Sequence, residues 1–98
     1  MPIDKNWSKA NPRHIKQNVP QSKGIYELKS FGKPVYVGSS NDLRRRLLEH
    51  LSERNGNVNR YRFKTLGFLS NRKKVERKHY DRHEEKYGKP PAWNERRP

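Results

Sequence analysis

The chain has 98 residues, with 24 Lys and Arg against 10 Asp and Glu, a net charge of +14 and no cysteine. Such a length supports one domain that buries roughly 60–70% of its unfolded surface, and with 29% hydrophobic residues much of a small core must be aromatic. The excess of cations favours a polyanionic partner, nucleic acid first, while the lack of cysteine excludes disulfides and thiolate metal sites.

Residues 1–22 read as an N-terminal arm. Met1-Pro2-Ile3-Asp4 is not signal-like, and no apolar run approaches the roughly 20 residues of a membrane span. The expectation is a cytoplasmic protein, nucleoid-associated in a prokaryote, with no membrane attachment. Asn11-Pro12 suits an N-cap followed by the first helical position, opening a short helix through about Gln17. Trp7 and Ile15 are the residues to pin the arm down.

Residues 23–94 carry the domain. Gly24-Ile25-Tyr26-Glu27-Leu28-Lys29 and Pro34-Val35-Tyr36-Val37-Gly38 are strands. A Ser30-Phe31-Gly32 loop with Gly32 left-handed pairs Lys29 with Lys33 and sets Tyr26 opposite Tyr36 on one face. A helix follows, capped by Ser40 or Asn41, with Asp42 near the positive end of its dipole. Leu43, Leu47 and Leu51 form its buried stripe, and Asn55-Gly56-Asn57 stops it. Alternation over residues 60–69 marks a third strand. Ser70 or Asn71 caps a second helix that Gly88 ends near Tyr87. Residues 95–98 are a tail. The fold class is α+β: a small three-stranded antiparallel sheet flanked by helices, order β-β-α-β-α, with the N-terminal arm.

On the first long helix, Arg46 and His50 flank the leucine stripe, whereas Arg45 points to solvent. If the stripe packs on the hairpin, a guanidinium and an imidazole project along the seam where Tyr26 and Tyr36 emerge. Gly38 allows close approach of a phosphate, and Ser39 and Ser40 add small donors. Arg44 and Arg45 suit non-specific phosphate contacts, and Lys73 and Lys74 suit a DNA-facing or solvated surface. Such a set suits a phosphate that undergoes chemistry.

Gly24-Ile25-Tyr26, then Tyr36-Val37-Gly38 ten residues on, then an arginine eight residues past that glycine, resembles the GIY-YIG nuclease superfamily. The likeness covers about residues 20–94, with YVG in place of YIG. It implies a metal-dependent endonuclease that hydrolyses DNA phosphodiester bonds, a class that includes excision-repair incision subunits and structure-specific resolving nucleases. By resemblance Tyr26 and Tyr36 are the motif tyrosines, Arg46 the arginine, and His50 a His-or-Tyr position one turn later. Glu76 matches the metal-binding glutamate, and Asn94 the asparagine that closes the domain. The implied cofactor is one Mg²⁺ or Mn²⁺. Glu84 and Glu85 compete with Glu76 for it.

In that frame the ion on Glu76 neutralises a phosphate oxygen and the leaving alkoxide, and Arg46 supplies a fork of donors. Tyr26 is a candidate general base if Arg46 lowers its pKa from about 10, with His50 the rival base. His79, His83 and Glu76 also mimic a zinc-binding face, without an H-E-x-x-H string. Recognition is expected through DNA structure, single-stranded or branched, through weak sequence preference, or through a protein partner for targeting. The alternatives are a non-catalytic basic nucleic-acid-binding module on the same fold and a ribosome-associated protein.

Overall fold

The computed structural model describes residues 6–54, 57–67 and 70–94. In chain order the elements are β1 (Ser8–Lys9), α1 (Pro12–Asn18), β2 (Gly24–Ser30), β3 (Lys33–Ser40), α2 (Leu43–Arg54), β4 (Arg60–Thr65) and α3 (Arg72–Tyr87). The residues at 55–56, expected to stop α2, and the tail at 95–98 lie outside the described residues, as does Met1–Asp4.

The sheet has four strands in the order β1-β4-β2-β3, not the expected three. The additional strand comes from the arm: Ser8 pairs with Tyr61 and Lys9 with Arg60. A strand of this length carries no period-2 signal, and its role is to cover the open edge of β4, which would otherwise present unpaired backbone groups. From β2 onward the order is β-β-α-β-α.

The hairpin register also differs from the expectation. Ser30 pairs with Lys33, so the turn residues are Phe31 and Gly32, both at positive φ (46° and 92°), the geometry that matches strand twist in tight hairpins. An irregularity between Leu28 and Lys29 then skips Val35, pairing Leu28 with Tyr36 and Tyr26 with Gly38. Pro34, which has no N–H to donate, sits beside this bulge. The tight turn alone would send the two tyrosines to opposite faces; the extra residue restores the parity. Tyr26 and Tyr36 therefore share a face diagonally rather than directly.

That face holds the core. Tyr26 and Leu28 pack with Leu43 and Leu47 of α2, Ile15 and Val19 of the α1 segment, and Tyr61 of β4. Each fully buried aliphatic side chain here contributes roughly 1.5–3 kcal/mol. Asn11 caps α1 by accepting from the His14 N–H at 2.7 Å, and Arg44 Nε donates to the Val19 carbonyl at 2.8 Å, tying α2 to the end of the arm. Alternation puts Ile25, Glu27, Val37 and Ser39 on the opposite face, where α3 packs across β3 and β2. Asn71 caps α3 through the Lys74 N–H, and Gly88 ends it in the left-handed conformation. The cap of α2 is Asp42, one or two residues later than expected: its Oδ1 accepts from the Arg45 N–H at 3.1 Å.

Candidate active site

Gly38 explains why two phenols meet here. It lies opposite Tyr26, and a Cβ at this position would fall 2.5 Å from the Tyr26 Cζ and Oη and 2.7 Å from a Tyr36 ring carbon. The missing side chain is the space the rings occupy. Tyr26 and Tyr36 stack at 6.0 Å between centroids, and the His50 ring lies 5.3 Å from one and 4.9 Å from the other. The Tyr26 Oη and His50 Nε2 are 2.8 Å apart. The expected rival bases are thus a hydrogen-bonded pair, buried to 1% and 2% exposure.

The electrostatics of this pair run against the simple expectation for Tyr26. Burial, and then the neighbouring Tyr36, push its hydroxyl well above the usual tyrosine range; attraction from Arg46 opposes this and loses. His50 goes the other way. Burial first, then repulsion from Arg46 and Arg54, push its pKa down to about 3. At neutral pH a neutral phenol therefore faces a neutral imidazole, whose buried Nδ1 has no partner among the described residues.

Arg46 lies one turn before His50 on α2, half-buried, with Nη1 3.4 Å from Glu49 and 3.5 Å from Glu53. Glu76 is buried at 5% exposure on α3. Its Oε1 accepts a hydrogen bond from Ser39 Oγ, and Lys73 Nζ stands 3.8 Å away. Arg72, one turn before Glu76 on α3, donates from Nη1 to Ser39 Oγ at 3.0 Å. The Glu76 charge also reaches Tyr26, raising its pKa. Glu76, Ser39, Arg72 and Lys73 thus form a polar cluster within electrostatic range of the aromatic one.

Other candidates have structural partners. Ser40 Oγ closes a turn with the Asp42 backbone, donating and accepting at 3.0 Å. Arg44 holds the Val19 carbonyl. Asn94 accepts from the Val37 N–H and donates to the Val37 carbonyl, both at 3.0 Å, which closes the outer edge of β3. Arg45 and Lys74 are exposed. Glu84 and Glu85 are exposed too and line a different hollow, with Lys78 and Arg82, roughly 12 Å along α3 from Glu76 at ~1.5 Å per residue. The His83 ring packs at a tilt against Tyr87, and among the described residues no group of three His, Cys, Asp or Glu comes together to hold a metal. No described helix is long and apolar enough to cross a membrane.

The UvrABC system protein C of Aquifex aeolicus (strain VF5) is 33% identical over 60 residues, which make up 61% of this chain and 10% of that protein. The chain thus spans about a tenth of the length of the curated relative it matches. No solved structure matches. A family model described as a domain of unknown function, DUF7508, matches residues 1–82. Since that match runs over most of the chain, the protein belongs to the DUF7508 family.

Proposed function

We propose that the protein is a metal-dependent endonuclease of the GIY-YIG type, hydrolysing DNA phosphodiester bonds with structural selectivity or weak sequence preference. The observation that carries this reading is the convergence of Tyr26, Tyr36 and His50 against the bare backbone of Gly38, with Arg46 and the buried Glu76 both within electrostatic reach of the Tyr26 hydroxyl. Packing an aliphatic core needs none of these polar atoms. The likeness to a protein of the UvrABC system supports a role on DNA, as does the charge of +14.

Glu76 would hold the ion. A single buried carboxylate with a hydroxyl beside it fits a hard divalent cation such as Mg²⁺ or Mn²⁺, whose other ligands are water and phosphate oxygens. Such an ion supplies charge neutralisation at the phosphate. Arg46, released from Glu49 and Glu53, would turn its donors to the phosphoryl oxygens, a stronger partner than exposed carboxylates. Tyr26 would meet the attacking water at its hydroxyl, which the Arg46 guanidinium also reaches, while its own proton points at His50 Nε2. An incoming phosphate offsets the positive field of Arg46 that helps to keep His50 deprotonated, so the imidazole becomes a better proton acceptor when substrate is present.

The test is cleavage of single-stranded, duplex, flap and branched DNA with Mg²⁺ or Mn²⁺, using the wild type, Glu76→Gln and Arg46→Ala. Both variants should bind and fail to cut. Cutting by both would remove the assignment. The second reading, a basic nucleic-acid-binding module without turnover, is favoured by the ion pairs that occupy Arg46. It predicts tight, salt-sensitive binding and no cleavage with any metal.

A further inference from the structure

The tip of the β2–β3 hairpin has features that neither the fold nor the site requires. Phe31 sits at φ 46°, the one non-glycine residue at positive φ among the described residues. Such a position disfavours a bulky side chain and in a tight hairpin calls for Asn or Gly. Burial does not compensate, since Phe31 is 71% exposed. The conformation is nevertheless held firmly. The Phe31 N–H donates to Asn59 Oδ1 at 2.7 Å, and the Asn59 N–H donates to the Lys29 carbonyl at 3.0 Å. A strained exposed residue fixed by its surroundings points to a use outside the fold.

Its neighbours say what kind of use. Lys33 follows the turn, and the strand register sets Lys29 and Lys9 each opposite Arg60. These cations therefore gather at the same end of the sheet as Phe31. A hollow of about 260 Å³ opens beside the turn, with Lys33, Lys89 and the half-exposed Tyr87 in its wall. An aromatic ring held out among cations is the combination that binds unpaired nucleic acid: the ring stacks on a base while the cations take the phosphates.

We propose that Phe31 is a wedge that stacks on an unpaired base, with Lys29, Lys33 and Arg60 on the flanking phosphates. This rests on nucleic acid being the ligand, as proposed above, but not on catalysis. Phe31 lies five residues along β2 from Tyr26, roughly 17 Å at ~3.4 Å per residue. One strand of a duplex covers that length in about five base steps. The wedge would thus set where, relative to an unpaired base, the phenol cluster meets the backbone.

The experiment uses the full chain in EDTA, so that no probe is cut. A blunt duplex, a single strand and a fork, the latter two carrying 2-aminopurine, are titrated with wild type, Phe31→Asn and Phe31→Trp. Phe31→Asn should raise Tm by roughly 5 °C, because it relieves the turn. It should also weaken binding to the fork and single strand about tenfold or more and abolish 2-aminopurine quenching, with blunt-duplex affinity kept within about twofold. Phe31→Trp should keep both affinity and quenching. Gained stability with lost affinity cannot come from a damaged fold. Unchanged fork binding by Phe31→Asn, or equal loss on fork and blunt duplex, would overturn the wedge, unchanged binding leaving the tip to a protein partner. Failure of the wild type to bind any probe would instead overturn the nucleic-acid reading on which it rests.

Discussion

Gly38 and Ser39 are adjacent on β3 and serve opposite faces of the sheet in opposite ways. At Gly38 the site is dry: rings fill the space of a missing side chain, and the Tyr26 hydroxyl and His50 Nε2 hydrogen-bond each other. At Ser39 the site is polar: a hydroxyl donates to Glu76 and accepts from Arg72, with Lys73 nearby. The first half is set by packing, which tolerates no adjustment. The second is set by hydrogen bonds to long side chains that can change partners. A nuclease reading needs this division, because base and phenols must be placed in advance while a metal and a phosphate enter and leave.

The sharpest way to break the comparison is Glu76→Gln. It keeps the shape and an acceptor oxygen for Ser39 but removes the charge. Cleavage should fall roughly 10²–10³-fold, the scale of losing a main electrostatic contact to a transition state. Tm should move by no more than about 5 °C, because the polar half adjusts. A large Tm loss in thermal unfolding would mean that Glu76 is a structural acid and that the two halves do not differ in kind.

Gly38→Ala attacks the other half. The added methyl would meet the Tyr26 hydroxyl at 2.5 Å, and the fully buried Tyr26 ring cannot retreat into a packed core. The cost should be about 3 kcal/mol or more, at the upper end of overpacking effects, read as a lowered urea midpoint, with activity lost in parallel. If Gly38→Ala unfolds like wild type, the rings have room to move and the dry half is not preset.

The buried imidazole gives a pH test. His50 has a folded pKa of about 3 against about 6.5 when unfolded. Between these values the unfolded chain binds more protons, so stability is full above about pH 6.5 and is lost as pH falls toward 3. His83, lowered by burial and then by Lys86 and Lys89, acts in the same direction. His50→Gln should therefore make the acid limb shallower by about one proton, up to roughly 1.4 kcal/mol per pH unit, without flattening it. Tyr26 contributes the mirror image: its raised pKa leaves stability intact below about pH 10 and erodes it above, as the unfolded phenol ionises. Tyr26→Phe should reduce that alkaline loss, leaving the share of Tyr61, whose hydroxyl pKa burial also raises. Acid limbs that superimpose for wild type and His50→Gln would show that water reaches the imidazole.

How much of this was legible in the sequence varies with the kind of interaction. Tyr26, Tyr36, Arg46 and His50 stood out because motif spacing and helix periodicity together fix which side chains face a common seam. The bulge that keeps the tyrosines on one face did not stand out: local preference favoured a longer loop, and only the pairing across β2 and β3 reveals the extra residue at Val35. Ser8–Lys9 was invisible as a strand because its register is dictated by the β4 edge, not by its own residues. The Tyr26 pKa was misjudged in direction for a related reason. Charges can be read from a sequence, but the burial that outweighs Arg46 belongs to the assembled core.

The smallest effect concerns what holds the dry half in place from outside. β3 is the edge strand of the sheet, and the C-terminal segment covers it: the Trp93 N–H donates to the Val35 carbonyl at 2.8 Å, and the Asn94 amide bridges both backbone groups of Val37. Val37 directly precedes Gly38, so Asn94 fixes the strand whose backbone sets the ring positions. Asn94→Ala leaves the Val37 N–H and carbonyl to water on one side, and half-buried groups of this kind cost about 1–2 kcal/mol. Tm should fall by several degrees. If Asn94 works through the strand rather than on substrate, kcat should fall a few-fold while KM for DNA stays unchanged, and hydrogen exchange at Val37 should speed up. A rise in KM with unaltered exchange would place Asn94 on the substrate instead, and the outer edge of β3 would then belong to the site rather than to its frame.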